Sequence, residues 1–254
     1  MGIRRVKVTN FKSFAELDVE LGNFTVLVGP NASGKSNFVQ IFAFLRDIAG
    51  TGLVNAVSMQ GGVEYLRNMK LRARHELLLE VVSDDRFMFV TRKGRRKPIG
   101  IEVSRSTYAF RLEFYKRGSG FKVIEDRLDL DCRVVRLATR GRAVSEEQIL
   151  GAGSIVVSRK NSGVKVDLLL PREAGIGEED IFPSFALRQV LPKRSLLLEI
   201  PFVFPPALRA LFTQISIYDF DPKLPKKASP ITGKAGLEED GSNLSIILKN
   251  WLED

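Results

Sequence analysis

Residues Gly29 to Asn37, GPNASGKSN, decide the fold class of this chain. They contain the spacing Gly-x-x-x-x-Gly-Lys-Ser, the Walker A pattern, over Gly29–Ser36. An apolar run, FTVLV, precedes the pattern, and NFVQIFAFLRDIAG follows it with apolar residues at helical spacing. A glycine-rich turn between a buried strand and a helix is the context in which this pattern binds phosphate. The sequence therefore predicts an α/β nucleotide-binding fold.

The chemistry of phosphate binding explains each residue type in the pattern. Glycine at 29 and 34 lets the backbone wrap closely around phosphate oxygens, and backbone N–H groups at the helix start attract anions. We expect Lys35 to meet the β- and γ-phosphates and the Ser36 hydroxyl to ligate Mg²⁺. No residue is assigned a catalytic role. The predicted ATP-binding residues are Gly29, Pro30, Asn31, Ala32, Ser33, Gly34, Lys35, Ser36 and Asn37.

Hydrolysis needs more than this loop, because an acidic residue at the end of another buried strand must help to hold the metal ion. Three stretches approach that pattern without matching it. The acidic residues in them are Glu80, Asp84 and Asp85 in LLLEVVSDD, Glu199 in RSLLLEIPF, and Asp219 and Asp221 in ISIYDFDP. We assign none of them as the Walker B acid, so the sequence predicts nucleotide binding without turnover by the chain alone.

Composition narrows the class of protein. The chain has 254 residues, of which 44% are hydrophobic and 27% charged, as in folded proteins. A single cysteine, Cys132, excludes an intrachain disulfide, and a single histidine, His75, disfavours a zinc site or a His-based triad. No stretch has the length of a membrane helix or the apolar core of a signal peptide, so a cytoplasmic protein is expected.

The formal net charge of +9 attracts polyanions at low salt. The densest cationic cluster is Arg92–Lys97 in TRKGRRKP, at a predicted hairpin tip. A solvated turn is the favoured interpretation of this cluster, and contact with phosphates is the alternative.

Three regions follow from the pattern along the chain. Residues 1–70 form the predicted strand–helix nucleotide-binding segment, with Gly50 as the expected end of its helix. Residues 71–170 alternate apolar and polar residues between turn signals, which predicts an antiparallel β meander. Residues 171–254 are a helical and connecting segment, with a short strand predicted in ISIYDFDP and an amphipathic helix in NLSIILKNWLED.

The segments IRRVKVTNFKSF and LDVELGNFTVLVGPNASGKSN closely resemble the N-terminal head segment of ABC-class ATPases of the SMC, RecF and OLD type. Within that group the chain is similar to the RecF/OLD-like predicted ATPases. Weaker likenesses follow in order: VNAVSMQGGVEYLR, YAFRLEF, VIEDRL, ISIYDFDP and EDGSNLSIILKNW. The resemblance implies an α/β P-loop NTPase, specifically the N-terminal lobe of an ABC-ATPase-like head, with a large antiparallel meander and peripheral helices.

The resemblance also implies ATP and Mg²⁺ as cofactors, and places Asn10–Phe14 near the base and ribose. A glutamine that senses the metal would be Gln148 or Gln189. Hydrolysis is expected only with a C-terminal lobe that carries an LSxG-type signature and the Walker B acids, and with head-to-head dimerisation. The sequence up to Asp254 contains neither motif. The alternative function is a non-hydrolysing, nucleotide-gated module that controls contact with DNA or a protein partner.

Overall fold

The computed structural model describes residues 2–71, 75–91, 98–115, 120–140, 143–221, 223–224 and 236–253. At residues 139–140, 143–144 and 253 it describes the backbone alone. The chain forms two compact units, Met1–Thr213 and Gln214–Asp254. The Arg92–Lys97 cluster lies outside the described residues.

An eight-stranded sheet dominates the larger unit. Its strands follow the order β2-β1-β3-β5-β6-β7-β8, and β4 pairs with β5 alone. All the described strand pairs are antiparallel, so the meander predicted after His75 is confirmed. The strands are β1 (Ile3–Phe11), β2 (Phe14–Glu20), β3 (Leu77–Ser83), β4 (Phe87–Thr91), β5 (Ile99–Phe114), β6 (Phe121–Arg140), β7 (Ala143–Lys160) and β8 (Gly163–Leu169).

Alternation of side chains gives the sheet one apolar and one charged face. Val6 and Val8 of β1 and Phe110 of β5 are fully buried, since successive side chains in a strand point to opposite faces. On the other face, Arg5 of β1 donates to both carboxylate oxygens of Asp18 on β2. Such exposed ion pairs contribute little stability, but they keep this face hydrated.

The helix that follows the Walker A pattern is α1 (Lys35–Thr51). Its buried side chains recur at helical spacing and include Ile41, Phe44 and Ile48. The ring of Phe44 lies 5.9 Å from that of Phe11 on β1. The helix ends at Gly52, whose φ of 88° suits glycine, and the predicted end at Gly50 was two residues early.

Short helices complete the larger unit. They are α2 (Leu53–Met59), α3 (Val63–Leu66), α4 (Glu178–Ile181), α5 (Ser184–Leu187) and α6 (Pro206–Thr213), with 3₁₀ turns at Arg172–Ala174 and Leu197–Glu199. The helical character predicted after residue 171 is therefore confirmed, although prolines divide it into short pieces. In the described ranges, no helix is long and apolar enough to cross a membrane.

The FTVLV run is not a strand, and that prediction was wrong. Residues 21–30 are irregular. Phe24 is 87% exposed and Val28 is 91% exposed. A fully buried strand needs ladder partners, and no described strand pairs with this segment, since β2 ends the sheet on that side.

The smaller unit contains α7 (Leu244–Glu253), as the amphipathic pattern predicts. Asn243 accepts a hydrogen bond from the N–H of Glu238 at 2.8 Å and donates to the carbonyl of Gly236 at 2.9 Å. The helix buries Ile247, whereas Trp251 is 74% exposed. The strand predicted in ISIYDFDP does not form, and residues 215–221 are irregular instead.

A buried carboxylate joins the sheet to the helical segment of the larger unit. Asp126 on β6 accepts a hydrogen bond from the hydroxyl of Tyr108 at 3.0 Å and from the N–H of Leu197 at 2.6 Å. Burial raises the pKa of Asp126 to about 7, against the opposing effect of these two donors. Burial also raises the pKa of Glu199, and the guanidinium of Arg159 acts in the opposite direction on both carboxyls.

The pH dependence of stability follows from the raised pKa of Asp126. The folded chain holds a proton that the unfolded chain releases above about pH 4. The contribution of Asp126 to stability is therefore fully present below that pH and is lost as pH rises to about 7, a loss of about 4 kcal/mol at most. We expect urea unfolding from about pH 4.5 to pH 8 to show this decline.

The matched variant is Asp126→Asn, which keeps the shape and removes the titration. Its free energy of unfolding should change less over the same pH range and should equal or exceed that of the wild type at about pH 8. Glu199 contributes a remaining slope of the same sign. An unchanged slope in Asp126→Asn would show that Asp126 is ionised in the fold at neutral pH.

Candidate nucleotide-binding site

The glycine loop, defined as Gly29–Asn37, contains positions at which the backbone conformation or the available space favours a small residue. Gly34 has a φ of 99°, a left-handed conformation, and α1 starts directly after it. A Cβ atom at Gly29 would lie 2.9 Å from the hydroxyl of Ser33. Ala32 is also left-handed, with a φ of 63°, which costs of order 1 kcal/mol or more for a residue with a side chain. The loop is thus a tight, strained turn at a helix N-terminus.

Lys35 closes the loop on itself. Its ammonium donates to the carbonyl of Gly29 at 2.8 Å and to that of Pro30 at 2.7 Å. Ser36 is exposed in the first turn of α1. No described side chain caps this end of α1, and its first turn contains no acidic residue. The first N–H groups of the helix and the Lys35 ammonium together form a cationic site that suits an anion.

An apolar pocket of about 310 Å³ lies between β2, α1 and the glycine loop. Its lining includes Leu17 and Val19 of β2, Val28, and Phe38 of α1. The ring of Phe14 also borders the loop, because a Cβ at Gly34 would lie 3.3 Å from two of its atoms. Because Leu27 and Val28 also line the pocket, it extends to the exposed segment Phe24–Val28 before the loop.

A polar pocket of about 430 Å³ lies between the β1–β2 turn, α1 and the connection from α2 to β3. Its lining includes Lys12, Ser13, Asn37, Gln60, Tyr65 and Lys70. Burial lowers the pKa of Lys12. The side-chain oxygen of Gln60 is buried and has no hydrogen-bond partner within the described residues. Gln60 and Tyr65 lie in VNAVSMQGGVEYLR, one of the weaker likenesses found in the sequence, but neither they nor Lys70 were predicted as site residues. Only folding brings them beside Asn37.

Asn10 holds this pocket together. It is 2% exposed and left-handed, with a φ of 54°. Its amide donates to the carbonyl of His75 at 2.6 Å and accepts from the N–H of Asn68 at 2.9 Å. The N–H of Lys12 donates to the carbonyl of Leu66 at 2.8 Å. The β1–β2 turn is thereby tied to the chain that follows α3.

Three of the acidic residues considered from sequence, Glu80, Asp84 and Glu199, have neighbours elsewhere in the larger unit than the glycine loop. Asp84 pairs with Arg4 at 2.6 Å, and Glu80 lies 4.0 Å from Arg5 on the charged face. Glu199 approaches Gly52, which follows the far end of α1. A helix of 17 residues separates Glu199 from the loop by about 25 Å.

The other candidates are two acidic residues and two glutamines. Asp219 and Asp221 belong to the smaller unit. Gln148 lies on β7, four strands beyond β1 in the sheet order and so about 20 Å away, and it accepts a hydrogen bond from Arg136. Gln189 is exposed after α5. Within the described ranges no group of three or more His, Cys, Asp or Glu side chains could hold a metal ion.

Sheet, helix and loop together define a mixed α/β protein with a large antiparallel sheet and a glycine loop at the start of α1. Residues 1–85 match the family model of the AAA ATPase domain. The DNA replication and repair protein RecF of Brucella abortus is 44% identical over 57 residues, which are 22% of this chain and 14% of RecF. The chromosome partition protein Smc of Methanocaldococcus jannaschii is 34% identical over 64 residues, 25% of this chain and 6% of Smc.

Residues 1–85 are thus similar to an ATPase domain, and the partial matches to RecF and Smc are consistent with the N-terminal part of an SMC/RecF-like ATPase head. The resemblance given by the sequence is therefore confirmed for this N-terminal part of the chain. The aligned segments span only 14% and 6% of these two relatives.

Replacing Asn10 by alanine tests whether the hydrogen bonds of Asn10 stabilise the chain around the polar pocket. The change removes one buried and one partly buried hydrogen bond and places alanine in a left-handed conformation. We therefore expect a loss of about 2–4 kcal/mol in unfolding free energy. Asn55→Ala, an exposed change on α2 that removes one hydrogen bond to Thr51, is the control. It should shift stability by less than about 1 kcal/mol. Equal losses in the two variants would contradict the role of Asn10.

Proposed function

We propose that this chain is the ATP-binding part of an SMC/RecF/OLD-like ATPase, and that the glycine loop holds Mg-ATP. The observation that carries the proposal is the left-handed Gly34 at the start of α1, beside the Lys35 ammonium. In this proposal the phosphates replace the carbonyls of Gly29 and Pro30 as the acceptors of Lys35. Ser36 provides one oxygen ligand to Mg²⁺, a metal ion that prefers such ligands.

The nucleoside occupies the polar pocket in this proposal. Asn37 and Ser13 border both this pocket and the glycine loop, since a Cβ at Gly34 would lie 3.1 Å from the Ser13 hydroxyl. Amide groups and an exposed aromatic ring, Tyr65, suit the polar edges and the flat face of a base. This supports the placement of Asn10–Phe14 near the base and ribose.

Hydrolysis, in this proposal, requires a C-terminal lobe with the signature motif and Walker B acid, and a head-to-head dimer. The exposed run Phe24–Val28 supports the need for such a lobe. Its residue types are those of a buried strand, although Phe24 and Val28 are exposed. It borders the apolar pocket through Val28. A parallel strand laid against this run would satisfy its backbone, and an acid at the end of that strand would approach Ser36.

The first test is equilibrium binding of Mg-ATP to the chain, with phosphate release measured in parallel. We expect weak, saturable binding without phosphate release above background. Lys35→Ala should lose binding by tenfold or more, because a charge-assisted contact to phosphate contributes about 1.5–3 kcal/mol.

Lys122→Ala is the matched control, since Lys122 is an exposed lysine on β6 that pairs with Glu113. It should bind Mg-ATP as the wild type does. Equal binding by wild type and Lys35→Ala would contradict the assigned site. Rapid phosphate release by the wild-type chain would contradict the need for a C-terminal lobe.

A non-hydrolysing, nucleotide-gated module that contacts DNA is the second candidate function. The net charge of +9 favours it, and two relatives are a DNA replication and repair protein and a chromosome partition protein. We expect duplex DNA binding to weaken about tenfold or more between about 50 and 200 mM salt, if two or more phosphates are contacted.

Gating by nucleotide is tested by repeating the DNA titration with Mg-ATP and with the Lys35→Ala chain. The module predicts that ATP changes the affinity of the wild type and leaves that of Lys35→Ala unchanged. DNA binding that ignores salt, or that responds to ATP equally in both chains, would contradict this function.

A further inference from the structure

Tyr65 presents an aromatic ring to solvent at the wall of the polar pocket. The residue is 66% exposed, although it lies in α3 between Val63 and Leu66, which are both buried. Within the described part of the chain, its ring packs on no other aromatic ring and its hydroxyl has no hydrogen-bond partner. The ring therefore has a free face that a ligand in the pocket can contact.

The turn between α2 and α3 fixes the backbone that carries Tyr65. The N–H of Gly62 donates to the carbonyl of Val57 at 2.9 Å. The N–H of Gly61 donates to the carbonyl of Ser58, also at 2.9 Å. Both glycines are left-handed, with a φ of 91° at Gly61 and of 92° at Gly62. These bonds close the end of α2 as C-terminal glycines commonly do, so α3 starts from a defined position.

Gly61 also supports the ring itself. A Cβ atom at Gly61 would lie 3.2 Å from Cδ2 of Tyr65 and 3.3 Å from its Cβ and Cγ. Because Gly61 has no side chain, one side of Tyr65 lies directly against the backbone while the rest of the ring stays exposed. A ring held in this way has few orientations to lose, so a flat ligand stacks on it at little cost in ordering.

The polar pocket connects the ring to the glycine loop. Tyr65 and Asn37 line the same pocket, and Asn37 follows Ser36 in the first turn of α1. The opposite wall of the pocket is tied to α3, because the N–H of Lys12 donates to the carbonyl of Leu66, the residue after Tyr65. Packed and hydrogen-bonded elements therefore set the separation between the loop and the ring.

We propose that Tyr65 stacks on the base of the bound nucleotide, and that this contact makes the site select purine over pyrimidine nucleoside triphosphates. Every base has a face that can stack on an aromatic ring, and the two fused rings of a purine offer a larger face than the single ring of a pyrimidine. Gly61 is the positioning residue that keeps the Tyr65 ring in place. This inference rests on the proposed function, since it requires the phosphates to lie at the glycine loop.

The experiment measures equilibrium binding of the Mg²⁺ complexes of ATP, GTP, CTP and UTP, and of tripolyphosphate, which has no base. We expect both purine nucleotides to bind at least about threefold more tightly than both pyrimidine nucleotides. Tyr65→Ala should weaken ATP binding about fivefold or more, because it removes the stacking contact. It should leave the binding of tripolyphosphate unchanged, and Tyr65→Phe should recover the affinity for ATP.

Tyr218→Ala is the control for the loss of an exposed tyrosine, since Tyr218 is 47% exposed and belongs to the smaller unit. It should bind all five ligands as the wild type does. Circular dichroism checks that each variant folds, and Tyr65→Leu replaces Tyr65→Ala if the latter does not.

Two neighbouring glycines provide a matched pair that tests the position of the ring. Gly61→Ala and Gly62→Ala both force alanine into a left-handed backbone, so the two changes should destabilise the chain to a similar extent. A Cβ at Gly62 would meet nothing within 4 Å, whereas a Cβ at Gly61 would press on Tyr65. Gly61→Ala should therefore bind ATP at least about threefold more weakly than Gly62→Ala, with equal binding of tripolyphosphate.

Equal affinity of the wild type for the four nucleotides would overturn the selection of purines, and unchanged ATP binding by a folded Tyr65→Ala chain would overturn the stacking. Lys35→Ala separates these failures from failure of the proposed function, because it should weaken ATP and tripolyphosphate alike. If Lys35→Ala weakens both ligands while Tyr65→Ala binds ATP as the wild type does, the inference fails and the assigned phosphate site stands. If Lys35→Ala leaves both unchanged, the proposed function fails as well.

Discussion

The packing of α1 against β1 and α6 sets the position of the glycine loop. At its middle, Phe44 packs on Phe11. At its far end, Arg209 of α6 donates to the carbonyl of Ala49 at 3.1 and 3.3 Å. A rigid helix transmits these distant contacts to its first turn, where Lys35 and Ser36 lie. The site can therefore be ordered on this side although the chain before it, Phe24–Val28, has no ladder partner.

A second constraint comes from the backbone groups of the chain before the loop. A strand with apolar side chains on both faces is stable only when neighbouring strands pair with it and cover it. In the larger unit the antiparallel sheet ends at β2, and the nearest apolar surface is the pocket beside Leu17, Val19 and Phe38. The glycine loop thus lies between two different surfaces. On one side is the packed helix α1, and on the other is the apolar pocket, on which a further strand would pack.

The buried network around Asp126 connects the meander to the other end of α1. Asp126 holds Leu197, and Glu199 accepts hydrogen bonds from the N–H groups of Leu196 and Leu53, the latter at the start of α2. These contacts give the long antiparallel strands a structural role at the end of α1 that lies far from the glycine loop. Local contacts alone do not predict that role, because Asp126 and Leu197 are 71 residues apart in the chain.

Local patterns determined much of what was predicted correctly. The spacing from Gly29 to Ser36, the apolar stripe of α1 and the alternation in β3–β8 all depend on residues close in sequence. Periods of 2 and 3.6 residues therefore revealed them. The loop residues named from sequence do form one turn. The end of α1 was misplaced by two residues because two nearby glycines satisfy the same local rule, and only Gly52 has the left-handed φ.

Tertiary structure decided the rest, because it depends on partners distant in the chain. The run FTVLV has the composition of a buried strand, yet burial requires neighbours that the described part of the chain does not place there. The resemblance placed Asn10–Phe14 near the base and ribose, but only the structure shows the hydrogen bonds of Asn10 to His75 and Asn68. Those bonds support the polar pocket in which Lys12, Gln60 and Lys70 meet. The sequence by itself thus determined the type of loop and the periodicity of its elements. Long-range packing and hydrogen bonding alone decided which of those elements are buried and which side chains surround the loop.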